Sequence, residues 1–395
     1  MGTRRDDPAH EGTDHCFVET TITSKTVLWS LSTGAPGEGV QRQPESVVDV
    51  RTLSIADAMQ QAAEVLRGGE LVAFPTETVY GLGGLALDLH AVSRIFAAKH
   101  RPADNPLIAH VSSMRQVAYL CDTIPATAMK LMEAFWPGPL SILLPARADL
   151  PAVLTAGLPM VAVRMPRHPL ALALIDAVGQ PLAAPSANLS GRPSPTSAEH
   201  VLQDFAGHIG GVIDGGPCEV GIESTVVAVE EDGQLVILRP GHITREDLAA
   251  FAEKVVFDPH LQGLTATDQP RAPGQKYRHY APRGDVQLVA GRDRTRLHAY
   301  LADQAAAMRQ EGLRVAILPL LPAPTLTAAD ADLLFPLGSF LRPSEVAHNL
   351  YAALRACDDQ DCARIFIECP PDGERYEALR NRMMKAANST CLTLP

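Results

Sequence analysis

Apolar residues along this chain fall in short runs that end in glycine, proline or small polar residues. Leu71, Val72, Ala73 and Phe74 form one such run, too short for a helix. Pro75 closes it, having no N–H to give to a ladder. Thr76-Glu77-Thr78 follows, and Gly81, Gly83 and Gly84 read as relaxed backbone just beyond. Ligands of open α/β sheets sit outside the carboxyl ends of strands, so a site belongs here. Other short runs predict strands at 107–111, 141–144, 161–164, 182–185, 211–213, 225–229 and 235–238. Helical spacing predicts a helix from the N-cap Ser54 to Arg67, stopped by Gly68-Gly69, and others at 90–99, 125–135 and 169–178. Thr244 caps a further helix expected to reach about residue 253.

Four segments follow. Residues 1–50 are polar and weakly periodic, which predicts an unstructured extension with a short strand at Thr26–Leu31 anchored by Trp29. A globular unit spans 51–255, and 256–283 reads as a linker. Residues 284–395 alternate strands at 286–289, 314–318 and Arg364–Glu368 with helices at Arg294–Gln310, 344–356 and 374–387. That alternation predicts a small, doubly wound, parallel α/β domain.

Composition narrows the function. The 395 residues are 46% apolar and 20% charged, as in a soluble globular protein. A net charge of −11 argues against a broad nucleic-acid or anionic-membrane surface, although a polyanion still fits where a few cations converge. Seven scattered cysteines without Cys-x-x-Cys read as reduced thiols in a cytoplasm, with no metal site expected. No apolar run reaches the ~18 residues of a membrane span, so no membrane partner is expected.

Candidate chemistry gathers at strand ends. Lys99 and Arg101 end a helix, where cations complement the dipole by about 0.5 kcal/mol and so contribute little to stability. With Asp104 and Asn105 they also make a loop suited to phosphate or ribose. Ser186-Ala-Asn188 is either an ordinary turn or a hydroxyl-and-amide pair where a ligand approaches the backbone. Ser194 either joins that rim or starts a helix. Arg164 ends a strand and suits a salt bridge or a bidentate carboxylate. His110 reads as a core histidine or as part of the site. Together Thr76, Thr78, His110, Arg164, Ser186, Asn188 and Ser224 suit a small zwitterion, while Lys99, Arg101, Arg239 and Ser194 suit phosphates.

These residues lie in ordered motifs: Phe-Pro-Thr-Glu-Thr-Val-Tyr-Gly-Leu-Gly, Lys-x-Arg at Lys99/Arg101, Asn-Pro-Leu-Ile from Asn105, and Trp-Pro-Gly-Pro-Leu from Trp136. Val-Arg-Met-Pro from Val163, Ala-Pro-Ser-Ala-Asn from Ala184, Gly-x-Glu-Ser-Thr from Gly221 and Leu-Arg-Pro-Gly from Leu238 complete the set. From Ser54 to Pro282 the chain resembles the threonylcarbamoyl-AMP synthase family, in its longer architecture with a Lys-Tyr-x-His-Tyr-x-Pro linker at Lys276. The resemblance implies a YrdC-like first domain, a twisted mixed sheet with a concave cleft, followed by a Rossmann-like second domain. It implies a nucleotidyltransferase that joins L-threonine, bicarbonate or CO2, and ATP with Mg2+ into threonylcarbamoyl-AMP and pyrophosphate. A separate transferase would then modify the tRNA adenosine beside the anticodon.

Residue by residue, the resemblance implies that Thr78, His110, Arg164, Ser224 and the backbone at Ala184 hold threonine. Arg101, Asn105, Ser186, Ser194, Arg239 and the backbone near Met160 would hold ATP, with Tyr277 folding over it as a lid. Lys99, Arg101, Ser186 and Asn188 would act on the phosphates. Met160 stands where the family often has threonine, and residues 372–376 depart from the glycine-rich run expected before Asn381-Arg382, so no ligand role is assigned to the second domain. The competing readings are an RNA-binding module without catalysis and a carbamoyltransferase subdomain using carbamoyl phosphate.

Overall fold

The computed structural model describes residues 25–31, 48–262, 270–273 and 280–395. The expected α/β architecture is present, with a 12-stranded mixed sheet in the first domain and a 5-stranded parallel sheet in the second. At the centre of the large sheet, Leu140–Pro145, Met160–Arg164, Ile108–His110, Leu182–Ala183, Gly81–Leu85 and Val72–Phe74 lie side by side. The parallel pair Ile108–His110 and Met160–Arg164 is in register, so His110 and Arg164 face each other at their common carboxyl end. Thr225–Val229 runs parallel to Leu140–Pro145, which is antiparallel to Met160–Arg164. The entry to Thr225–Val229, carrying Ser224, therefore lies at the same sheet end as Arg164.

The glycines after Thr78 form a strand rather than a relaxed turn. Gly81–Leu85 is wholly buried and pairs antiparallel with Val72–Phe74 on one side and Leu182–Ala183 on the other. The reason is close packing: a Cβ on Gly83 would lie 2.8 Å from the Phe74 ring. Propensity disfavours glycine in strands, so the local pattern hides this element.

The expected strand Thr26–Leu31 is present, and it is part of the large sheet. Thr26–Leu31 pairs parallel with Gly211–Asp214, and Val48–Leu53 adds outside it as the edge. Trp29 is 1% exposed, and a Cβ on Gly211 would come within 2.2 Å of its ring, so strand and glycine fit as one unit. The rest of residues 1–50 lies outside the described residues, apart from Lys25. Two further boundaries move. The helix capped by Thr244 ends at Leu248, and Val255–Phe257 still belongs to the first sheet, pairing with Leu235–Arg239.

In the second domain, alternate residues of each strand serve opposite faces. Val289, Val315, Ile317 and Phe366 pack with Leu297 and Leu301 of Arg294–Gln310. Leu288, Ala316, Ile365 and Ile367 pack with Leu350 of Pro343–Asp359 and Met383 of Glu377–Ala386. The sheet is thus covered on both faces, as a doubly wound fold requires. The second core also takes in Val79, Val220, Ile222 and Tyr280, so the two domains share apolar packing beside the Thr78 and Gly221 motifs.

The Trp29 packing sets a measurable expectation. Trp29→Ala should lower unfolding free energy by about 3–5 kcal/mol, the cost of emptying an aromatic core site. Urea denaturation measures it, and a loss under about 1 kcal/mol would show that the first strand is an appendage, since only surface substitutions cost so little.

Candidate active site

One cavity collects most of the expected residues. Thr78, Lys99, Arg101, His110, Arg164, Ala184, Ser186, Asn188, Ser194, Ser224 and Arg239 all line it. Ile108 and His110 enter from the same strand face, two residues apart. Asn105 and Met160 are outside its walls. Asn105 is buried and its carbonyl accepts from Arg101 Nε at 3.1 Å, while Met160 packs against the apolar cluster of Ile108 and Ala272. Tyr277 and Lys276 lie outside the described residues, but the residues flanking that gap, Pro273 and Tyr280, both line the cavity.

The residues expected to suit a zwitterion gather around Arg164. Its Nη1 donates to Thr78 Oγ1 at 2.9 Å and its Nε to the Gly138 carbonyl at 3.2 Å. Nη2 lies 2.7 Å from Glu77 Oε1 as an ion pair, without the angle of a directed hydrogen bond. Burial acts to raise the Glu77 carboxyl, and the charge of Arg164, with the Arg167 amide donating to Glu77 Oε2 at 3.0 Å, overcomes it, leaving Glu77 below its ordinary 4.5. Thr76 Oγ1 receives the amides of Thr78 and Val79 and meets Thr78 Oγ1 at 2.8 Å, which fixes the turn. His110 is pushed down to about 3 by burial and then by the Arg164 charge, so its imidazole is neutral at physiological pH. Ser224 shares a 2.8 Å hydrogen bond with Ser141 and accepts from Arg239 Nη2 at 3.0 Å.

Among the residues expected to suit phosphates, Lys99 corrects the picture of a weakly stabilising helix end. It is 1% exposed, and its Nζ donates to the carbonyls of Ser186 (2.5 Å) and Asn188. Burial, then the charge of Arg101, holds the ammonium well below its usual 10.5. Ser186 Oγ donates to Asn188 Oδ1 at 2.5 Å, and Asn188 Nδ2 donates to the carbonyls of Leu189 and Arg192. Lys99, Ser186 and Asn188 therefore build one turn, and the lysine is its internal brace. Arg101 is anchored on the carbonyls of Asn105 and Pro106, and Arg239 on that of Ser224.

The residues that the sequence reading passed over are two carboxylates and two tyrosines. Glu77 supports Arg164. Glu223 accepts from Ser194 Oγ at 2.6 Å, Tyr351 Oη at 2.9 and 3.1 Å, and Arg382 Nε at 2.8 Å. Burial works to raise Glu223, but Arg382, Arg239 and its hydrogen bonds bring it down to about 2. Both glutamates stand inside motifs already singled out, which was the available signal. Their partners come from distant segments and leave no local trace. Tyr280 stacks on Tyr351 with centroids 5.3 Å apart and carries Arg382 over its ring at 5.4 Å.

Two outcomes follow. Lys99→Ala leaves a void and two buried carbonyls without their donor. It should cost about 2–4 kcal/mol of stability besides activity. Urea unfolding tests this, and a cost near the ~0.5 kcal/mol of a helix-end charge would contradict it. Glu223 contributes stability that is present above the ordinary 4.5 and lost as pH falls toward about 2. Unfolding followed across that window should steepen with acid, and Glu223→Gln should flatten the curve. An unchanged slope would remove Glu223 as its source.

Comparison with known proteins agrees with this geometry. Residues 64–241 match the Sua5/YciO/YrdC family model, described as telomere recombination, and residues 243–388 match the C-terminal domain of threonylcarbamoyl-AMP synthase. The threonylcarbamoyl-AMP synthase of Pyrococcus abyssi is 43% identical over 341 residues, 86% of this chain and 97% of its own length. That of Bacillus subtilis is 45% identical over 328 residues, 83% of this chain and 92% of its own. The crystal structure of Pyrococcus abyssi Sua5 complexed with L-threonine superposes with a TM-score of 0.80 at 43% identity, covering 86% of this chain and 97% of that one. With both domains matched and nearly the full length of these relatives covered, the chain belongs to the threonylcarbamoyl-AMP synthase family.

Proposed function

We propose that the cavity binds L-threonine and ATP and makes threonylcarbamoyl-AMP. The threonine amine takes up bicarbonate with loss of water. The carbamate oxygen then attacks the α-phosphorus, the bond to the β-phosphate oxygen breaks, and pyrophosphate leaves. The observation that carries this reading is the charge of the cavity wall. Arg101, Arg164 and Arg239 line it, with the Lys99 brace beside them, against Glu223 as its wall carboxylate. This is a site for a polyanion inside a protein of net charge −11.

Arg164 is buried with its guanidinium on the cavity wall, a fixed cation placed to meet the threonine carboxylate. Thr78, Ser224 and the neutral His110 surround it with groups for the amine and hydroxyl. Arg101, Ser186 and Arg239 face the phosphates, and Asn105, beside Arg101, holds a buried Oδ1 that no donor reaches. Transfer at phosphorus needs alignment and charge compensation more than a protein nucleophile. The carbonyl-anchored cations supply both without moving.

Mg2+ fits only as the companion of the triphosphate. Glu77 is taken by Arg164 and Glu223 by Arg382, which leaves phosphate, hydroxyl and water oxygens as ligands. Bound there, the ion would neutralise phosphate charge as pyrophosphate departs. The reading places the protein in the cytoplasm, upstream of a transferase that passes the threonylcarbamoyl group to tRNA. Among the described residues no helix is long and apolar enough to cross a membrane.

The test is pyrophosphate release from purified protein with ATP and Mg2+, omitting threonine and bicarbonate in turn. Release is expected to need both, with threonylcarbamoyl-AMP found by mass spectrometry. Release that persists without bicarbonate, or that ignores threonine, overturns the reading.

A further inference from the structure

Ser194 lines the first-domain cavity, yet the group that takes its proton is held from the second domain. It is fully buried, and its Oγ gives its proton to Glu223 Oε1 at 2.6 Å. The direction is forced. An ionised carboxylate only accepts, and neighbouring cations keep Glu223 ionised, down to about 2. Two second-domain groups grip that carboxylate: Tyr351 Oη reaches both oxygens, at 2.9 and 3.1 Å, and Arg382 Nε reaches one at 2.8 Å.

The backbone before Ser194 is held from the same side. Tyr351 and Arg355 stand four apart on Pro343–Asp359, hence on one face of that helix. Arg355 donates to the Pro193 carbonyl from Nη2 at 2.8 Å and from Nε at 3.2 Å, and pairs with Asp204 at 2.8 Å. The helix can come this near because residue 221 is glycine: a Cβ there would lie 2.5 Å from His348 Cα. One helix face thus fixes the serine by its hydroxyl, through Glu223, and by the peptide before it.

We propose that Glu223, held in place from the second domain by Tyr351 and Arg382 as positioning residues, fixes the hydrogen-bond polarity of Ser194, so that Ser194 meets the nucleotide only as an acceptor. Its proton is committed, and lone pairs are what remain for the cavity. Phosphate oxygens carry lone pairs too and are refused. The groups that fit are nucleotide donors, namely the ribose hydroxyls and the adenine amine. Ser194 therefore helps place the nucleoside, while the cations take the phosphates.

This rests on the nucleotide reading above, and the experiment separates the two. Affinity for a non-hydrolysable ATP analogue is measured calorimetrically, so turnover is not required, and threonine affinity is measured alongside. Tyr351→Phe keeps the stack on Tyr280 and removes only the hydroxyl. By loosening Glu223, and with it Ser194, it should weaken nucleotide binding severalfold, up to about tenfold, the worth of one neutral hydrogen bond made through Ser194. Ser194→Ala should do the same, and threonine affinity should stay within about twofold in both, the scatter expected of an uncoupled site. The double variant should bind nucleotide no worse than Ser194→Ala alone, because Tyr351 acts through Ser194. Arg382→Lys, which keeps the charge, should bind better than Arg382→Ala. Additive losses in the double variant, an equal loss of threonine binding, or a Tyr351→Phe protein that behaves as wild type would each overturn the relay. Wild-type protein that binds no nucleotide would overturn the reading beneath it as well.

Discussion

Burying several cations in one cavity is the constraint on which this structure turns. A charge taken out of water is costly unless partners replace its hydration. Here carbonyl oxygens do most of that work. Lys99 is held by Ser186 and Asn188, Arg101 by Asn105 and Pro106, Arg164 by Gly138, and Arg239 by Ser224. Carbonyls satisfy donors without cancelling charge, so the wall keeps a positive potential. The carboxylates beside them, Glu77 and Glu223, are each tied to an arginine. The result is a site organised before its anion arrives, which is the condition for stabilising charge that develops during transfer.

Much of the fold was legible in the sequence because it depends on local pattern. Arg294–Gln310 and Pro169–Val178 are found as expected, since helical spacing and capping residues declare them. The glycine strand was hidden because its reason is the Phe74 ring lying across it. Lys99 was misjudged for a similar reason: its helix-end position is local, while its burial comes from a turn nearly ninety residues away, at Ser186 and Asn188. The cavity itself was largely foreseen, because its residues sit at strand ends that the motifs mark. Glu77 and Glu223 were seen as letters of those motifs and given no role, since an acid's role depends on which arginine folds against it.

The same burial separates the enzyme reading from an RNA-binding module. Lys99, Arg164 and Arg239 are all buried, and they converge on one cavity rather than forming a surface stripe. A polymer backbone needs accessible cations along its path, often interleaved with aromatics on which bases stack. Net charge and local charge therefore carry different information. The whole chain is acidic, while the cavity is basic and sized for small molecules.

The two domains depend on each other through a buried charge. Glu223 belongs to the first domain, but its chief counter-charge, Arg382, belongs to the second. Parting the domains would take from an ionised carboxylate its Arg382 counter-charge and the Tyr351 hydroxyl, so the interface is costly to open and the second domain is part of the site's construction. Tyr280 adds to this coupling. It borders the segment whose flanks line the cavity, and its ring contacts both the Tyr351 ring and the Arg382 guanidinium. The point where the chain returns from the cavity rim is thereby fastened to the same two residues that hold Glu223. Site geometry, domain packing and the anchoring of the linker thus share one small set of contacts, and a change in any of them is felt at Ser194.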